Sequence, residues 1–269
     1  MATRVFTDQM GRTVALKAWP PRRIVSLVPS QTELLHDLGL GSEVVGITLF
    51  CIHPDEWFRH KTRVGGTKTI NVEKIAALEP DLIIGNKEEN ERAHIESLEE
   101  QFPVWMSDVG NLNEAFDMIG QVGALTGKAD TATAMVRDIR TAFETMRAGS
   151  SAEKKPSVAY LIWRKPYMVA GSDTFIHEML VEAGFSNAFG HKTRYPEISL
   201  RELGNARPDL IFLSTEPYPF AEKHLPAFRE VCPETRIAFV DGELFSWYGS
   251  RLLQAPDYFL ALRKSLNLA

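Results

Sequence analysis

Residues Lys128 to Arg147 read KADTATAMVRDIRTAFETMR, and this stretch decides the fold. Its apolar side chains fall at Ala132, Met135, Val136, Ile139, Ala142, Phe143 and Met146. Spacings of three and four lay them along one stripe of an amphipathic helix, with no Gly or Pro inside to break it. At about 1.5 Å per residue such a helix runs roughly 30 Å, the width of a small domain. On either side, short apolar runs alternate with helix-period segments. The expectation is α/β: two parallel-sheet lobes, 1–127 and 149–269, joined by one backbone helix over 128–148, with a ligand cleft between the lobes.

The totals suit that picture. A chain of 269 residues, 44% hydrophobic and 24% charged, can bury one large core or two modest ones. A net charge of −5 argues against a general nucleic-acid binder. No apolar run approaches the roughly 18 residues of a membrane span, so no membrane insertion is expected. The segment MATRVFTDQMGRTVAL lacks an apolar core of signal-peptide length, which leaves the cytoplasm and a trimmed export signal both open. Cys51 and Cys232 fall in different halves, so no structural disulfide is expected.

Outward from the helix, the first half reads as a hairpin over residues 4 to 17 turning at Gly11, then strands at Ile24–Val28, Val44–Thr48, Leu82–Gly85 and Val104–Met106. Ser30 with Glu33 three residues on reads as a capping box opening a helix to about Leu38. A charged run from Lys87 to Glu100 reads as a solvated helix face. The second half opens after a loop at Gly149-Ser150-Ser151. Strands follow at Val158–Trp163, Leu210–Ser214 and Ile237–Val240, with helices ending near Ala183 and Ala206 and a last one over Leu252–Leu266.

The halves share a signature. Glu79-Pro80-Asp81-Leu82-Ile83-Ile84 returns 128 residues later as Arg207-Pro208-Asp209-Leu210-Ile211-Phe212, each time between a helix and a strand. Alternating strands and helices predict a parallel sheet in each half, with ligands beyond the carboxyl ends of the strands. The loops after those ends offer Ser30, Phe50, His53, Thr67, Lys68, Asn86 and Lys87 in the first half. In the second they offer Trp163, Arg164, Tyr167, Tyr195, Glu216, Tyr218, Phe245, Trp247, Tyr248 and Arg251, the Phe245–Gly249 group being expected in a loop. Aromatic platforms suit a large planar ligand, and Arg or Lys suits its carboxylates or phosphate. Cys51-Ile52-His53 is too short for the usual zinc spacings, so His53 stands as a single metal-ligand candidate.

With RIVSLVPSQTELLHDLGLGSEVVGIT, RVGGTKTINVEKIAALEPDLIIG, the long helix and the second Pro-Asp-Leu-Ile in this order, about residues 20 to 266 resemble one family. It is that of the helical-backbone (class III) substrate-binding proteins of ABC importers, in the cobalamin- and iron–siderophore-binding branch. The resemblance implies a non-enzymatic protein, expected as a monomer, with no intrinsic cofactor. It would capture a metal–organic complex, corrinoid or ferric siderophore, and deliver it to an ABC permease dimer from the periplasm or cell surface. It also implies one docking glutamate per lobe. Glu73 matches the first; the 128-residue offset lands on Arg201, and Glu202 beside it is the second docking candidate, reached by a slight helix rotation. The tyrosine that ligates haem in relatives would fall near Gly66, which has no side chain, so haem held in that way is disfavoured; the tryptophan of some cobalamin binders would fall near Thr67, which weakens cobalamin as the specific ligand. Two other readings stay open: a cytoplasmic ligand-trafficking or sensing protein on the same fold, and an enzyme using the cleft. For the enzyme, no G-x-S-x-G, P-loop or G-x-G-x-x-G motif gives support.

Overall fold

A computed structural model describes residues 3–148 and 155–268; the loop expected at Gly149-Ser150-Ser151 lies outside them. The chain divides into two compact units. The first comprises the residues up to Val109, Asn113–Ile139 and Tyr248–Arg251; the second Gly110–Leu112, Arg140–Trp247 and the chain from Leu252 on. The four residues Tyr248–Arg251, expected with the second half, therefore pack in the first unit.

The first unit carries the hairpin β1 (Arg4–Thr7) and β2 (Thr13–Leu16), then β3 (Ile24–Ser26), α1 (Pro29–Asp37), β4 (Val44–Ile47), α2 (Asp55–His60), β5 (Thr62–Arg63), α3 (Val72–Ala77), β6 (Leu82–Asn86), α4 (Arg92–Glu99) and β7 (Val104–Ser107). Five strands form one sheet in the order β5-β4-β3-β6-β7, every pair parallel. Its central strands are buried at every residue, because helices cover both faces of such a sheet. α5 (Leu112–Thr126) turns through Gly127, at φ +75°, into α6 (Ala129–Ala148). This is the predicted rod: Ala132, Met135, Ile139, Phe143 and Met146 are buried, and Val136 and Ala142 half-buried. A Cβ on Gly123 would stand 2.3 Å from that of Ala132, so α5 meets α6 where only glycine fits.

The second unit continues with β8 (Ser157–Trp163), β9 (Tyr167–Val169), α7 (Phe175–Glu182), β10 (Ser186–Asn187), β11 (Glu197–Ile198), α8 (Leu200–Ala206), β12 (Leu210–Ser214), α9 (Leu225–Val231), β13 (Arg236–Val240), α10 (Glu243–Ser246) and α11 (Ala255–Ser265). Its sheet runs β11-β9-β8-β12-β13, with β10 beside the start of β8. β8, β12 and β13 are parallel, whereas β9 and β11 run antiparallel along one side. The expected parallel sheet is thus present as a core with an antiparallel margin.

The sequence repeat is also a structural one. Asn71 caps α3 by accepting from the Lys74 N–H, and Ser199 caps α8 from the Glu202 N–H. Both helices end in a left-handed residue before proline, Glu79 at φ 44° and Arg207 at φ 45°.

Three local expectations are corrected. α1 begins at Pro29 after a Val28 cap with no side-chain bond, so Ser30 and Glu33 form no capping box; Ser30 lies buried in the first turn. The charged run does not start a helix at Lys87, because the Asn86 side-chain oxygen accepts from the Glu88 and Glu89 N–H groups and holds a turn. Phe245 is no loop residue: it lies in α10, fully buried among Tyr160, Phe212 and Phe259.

Candidate functional site

In a doubly wound sheet the ligand edge lies where the strand order reverses, outside the carboxyl ends. In the first unit that place is between β3 and β6, and the chain itself fills it. The Tyr248 hydroxyl donates to Glu89 (3.0 Å), and Arg251 grips both oxygens of Glu33 (2.8 and 2.6 Å). A Cβ on Gly249 would stand 2.6 Å from the Ser30 carbonyl, so only glycine brings the segment in this close. Burial and the neighbouring Glu89 push the Tyr248 phenol well up from its ordinary value. Ser30, Tyr248 and Arg251, read from sequence as ligand-facing, are therefore closed into the packing of the first unit.

Beside this plug the loop after β4 does the opposite. Leu49, Phe50 and Ile52 are exposed, Phe50 to 60%. The Phe50 ring lies over Gly66, where an added Cβ would approach it to 3.2 Å. His53 is half-buried, and among the described residues no group of three or more His, Cys, Asp or Glu side chains comes together to hold a metal. Thr67 is half-buried, its carbonyl accepting from Asn90. The Lys68 ammonium bonds the Glu88 carbonyl and faces Glu91, while Lys87 pairs with Asp108. Asn86 is buried and committed to Ser107.

In the second unit the carboxyl ends of β8 and β12 bring Trp163, Arg164 and Tyr218 together. The Trp163 ring is 40% exposed and meets Tyr218 edge-on at 5.6 Å. Tyr167, expected in a loop, starts β9 and packs its ring on Phe228 at 5.5 Å. The Tyr167 and Tyr218 hydroxyls stand near Arg164 and favour its charged form. Tyr218 in turn sits against Phe220 and His224, with 3.1 Å between its hydroxyl and His224 Nε2. His224 was missed, since nothing in its spacing marks it; it reaches Tyr218 because a short 3-10 turn over Glu222–His224 folds the chain back.

Glu216 follows β12 and is half-buried, accepting from Ser246 Oγ and Trp247 Nε1, each at 2.9 Å. Burial, aided by Glu243 and Asp241, pushes its carboxyl up to about 7 against those two hydrogen bonds. Trp247 is thereby buried and turned into the second unit, and Tyr195 is half-buried beneath Arg194. A groove of about 650 Å3 opens in the first unit at the amino ends of β6 and β7, beside Lys17, Glu79 and Phe102. It lies at the edge where parallel sheets do not ordinarily hold ligands.

Glu73 is exposed in the first turn of α3 and Arg201 in the first turn of α8. Glu202 reaches back to Ser199 and pairs with Lys192 at 3.0 Å; these bonds hold its carboxyl down to about 2.

Residues 24–229 match a family model described as periplasmic binding protein. A vitamin B12-binding protein of Vibrio vulnificus is 29% identical over 204 residues, 75% of this chain and 74% of the relative. An uncharacterized ABC transporter substrate-binding lipoprotein of Bacillus subtilis is 28% identical over 261 residues, 93% of this chain and 82% of the relative. Among solved structures, the periplasmic vitamin B12 binding protein of Vibrio cholerae superposes with a TM-score of 0.79 at 23% identity, covering 93% of this chain and 99% of that one. At that identity the last likeness speaks for the fold.

Proposed function

The chain belongs to the periplasmic binding protein family, and from that premise we propose that it captures a metal–organic complex, a corrinoid or a ferric siderophore, for an ABC importer. The B12-binding relative and the substrate-binding lipoprotein support this class of ligand and this partner. The observation that carries it is the exposed aromatic edge of the second unit, Trp163 against Tyr218. An exposed indole set edge-on to a tyrosine ring offers a flat apolar face to a planar ligand. Exposed Phe50 at the corresponding strand ends of the first unit supports the same chemistry. The role is binding without turnover, at the cell surface or in the periplasm, where such proteins serve importers.

The test is titration of the purified protein with cyanocobalamin, dicyanocobinamide, ferrichrome and haemin, read as tryptophan quenching. Binding tighter than about 100 µM by cyanocobalamin, dicyanocobinamide or ferrichrome supports the reading, haemin alone would move it to a porphyrin, and absence from all four overturns it. One observation favours a second reading, ligand trafficking without a permease: Arg201 stands where the repeat calls for a mate to Glu73. Failure of an ABC permease to respond to the loaded protein would select it.

A further inference from the structure

The cations at the strand ends are not equivalent. Lys68 faces Glu91, Lys87 pairs with Asp108 and Arg251 with Glu33. Arg164 has no carboxylate partner among the described residues, and its Nε is buried without any hydrogen-bond partner. What stands near it is phenolic: the hydroxyls of Tyr167 and Tyr218.

The direction of the hydrogen bonds follows from His224. Its Nδ1 accepts from the Ala221 N–H at 3.0 Å, so the proton of the neutral ring sits on Nε2. Burial and the nearby Arg164 charge lower the imidazole's proton affinity, in keeping with a neutral ring. Nε2 therefore donates to the Tyr218 oxygen at 3.1 Å. With Nε2 donating to that oxygen, the Tyr218 hydrogen points away from His224. The Tyr167 hydroxyl stands near the same guanidinium. A fixed positive charge with a buried, unpartnered Nε and two phenolic hydroxyls able to donate stand at the strand ends beside the Trp163 ring. Water satisfies such a cluster weakly; an oxyanion satisfies it with charge-assisted bonds.

We propose that Arg164, Tyr167 and Tyr218 form a subsite for an oxyanion, a carboxylate or a phosphate, borne on the rim of the bound metal complex. The proposal rests on the metal-complex reading above and narrows it to ligands carrying such a group. Trp163 would cover the apolar face while Arg164 takes the anionic edge, so complexes without an anionic group bind less well.

Four probes separate the sources. Haemin carries carboxylates; cyanocobalamin carries a phosphodiester that dicyanocobinamide lacks; ferrichrome carries neither. Arg164→Met should weaken haemin or cyanocobalamin binding about tenfold or more, Tyr218→Phe about threefold, and ferrichrome or dicyanocobinamide less than about twofold. A loss confined to haemin assigns carboxylate, and one confined to cyanocobalamin assigns phosphate. Equal losses across charged and uncharged probes, or none, overturn the subsite. A second measurement is independent of the metal complex: inorganic phosphate titrated into the full chain, read at the Arg164 side-chain N–H resonance. A saturable shift that Tyr218→Phe weakens supports the subsite, and no shift overturns it. If none of the four complexes binds while phosphate shifts Arg164, the metal-complex reading fails and the anion site stands.

Discussion

Asp81 and Asp209, 128 residues apart, clamp the start of the neighbouring strand in the same way in the two units. Asp81 accepts from the Arg22 and Arg23 N–H groups at 2.7 and 2.8 Å, just before β3. Asp209 accepts from the Ser157 N–H and hydroxyl, both at 2.8 Å, where β8 begins. Each aspartate thus ties the strand it precedes to the strand beside it, which explains why Pro-Asp recurs along with the apolar run. Alanine at either position strands two donors at a strand start and should cost about 1–2 kcal/mol. Because the two clamps share no partner, the double variant should lose the sum. Urea denaturation of the two single variants and the double checks both statements.

Glu216 gives the second unit a pH dependence. Its carboxyl is raised in the folded chain to about 7 from an ordinary value of 4.5. Below pH 4.5 both states hold the proton and no penalty exists. Between there and 7 the unfolded chain releases it while the folded chain keeps it, so stability falls as pH rises. Above 7 the penalty is constant, at most about 3 kcal/mol. Glu216→Gln keeps the shape of the protonated group, so the variant should be the more stable protein at pH 8 and equal to the parent near pH 4. Trp247 Nε1 bonds this carboxyl, so tryptophan emission should titrate near 7 in the parent and lose that step in the variant.

Much of the fold was written in periodicity. The α6 stripe, the α8 span and the β12 strand stand where their patterns put them, and the Pro-Asp repeat pointed to a sheet in each unit. The short elements were not legible: β5, β10 and β11 have two residues each, too few for an alternation to show. Site residues divided by partner. Trp163 and Phe50 stay exposed among the described residues, whereas Tyr248 and Arg251 found Glu89 and Glu33, far away in sequence. A pairing across 218 residues leaves no local signal, so an arginine that latches a segment reads like one that awaits a ligand.

The Arg251–Glu33 pair is bidentate, and its side chains are only 11% and 13% exposed. Arg251→Met should therefore cost about 3 kcal/mol, most of it from the buried carboxylate left behind rather than from the lost contact. Adding Glu33→Gln removes that charge, so the double variant should recover a good part of the loss. Chemical denaturation of the two singles and the double measures the coupling. Additive losses would mean that the two side chains act independently.

The last expectation concerns docking. On the importer reading, Glu73 stands exposed on α3 with its carboxylate outward, while Glu202 is drawn back onto its own helix by Ser199 and Lys192. Its depressed carboxyl contributes its capping bonds fully above about pH 4.5, and they are lost only as pH falls through about 2. At neutral pH it is therefore held in place, and the outward group on α8 is Arg201, two positions after the Ser199 cap as Glu73 is two after Asn71. Glu73→Ala should lower affinity for a reconstituted cognate permease by about tenfold, because the lost group is a free charge facing the partner. Glu202→Ala should change that affinity little and act instead on the stability of α8. Arg201→Glu should strengthen docking if the permease presents arginines to both units, and weaken it if the half meeting the second unit is acidic. Surface plasmon resonance with the three variants reads all of these, and a Glu202→Ala loss as large as that of Glu73→Ala would return the docking role to Glu202.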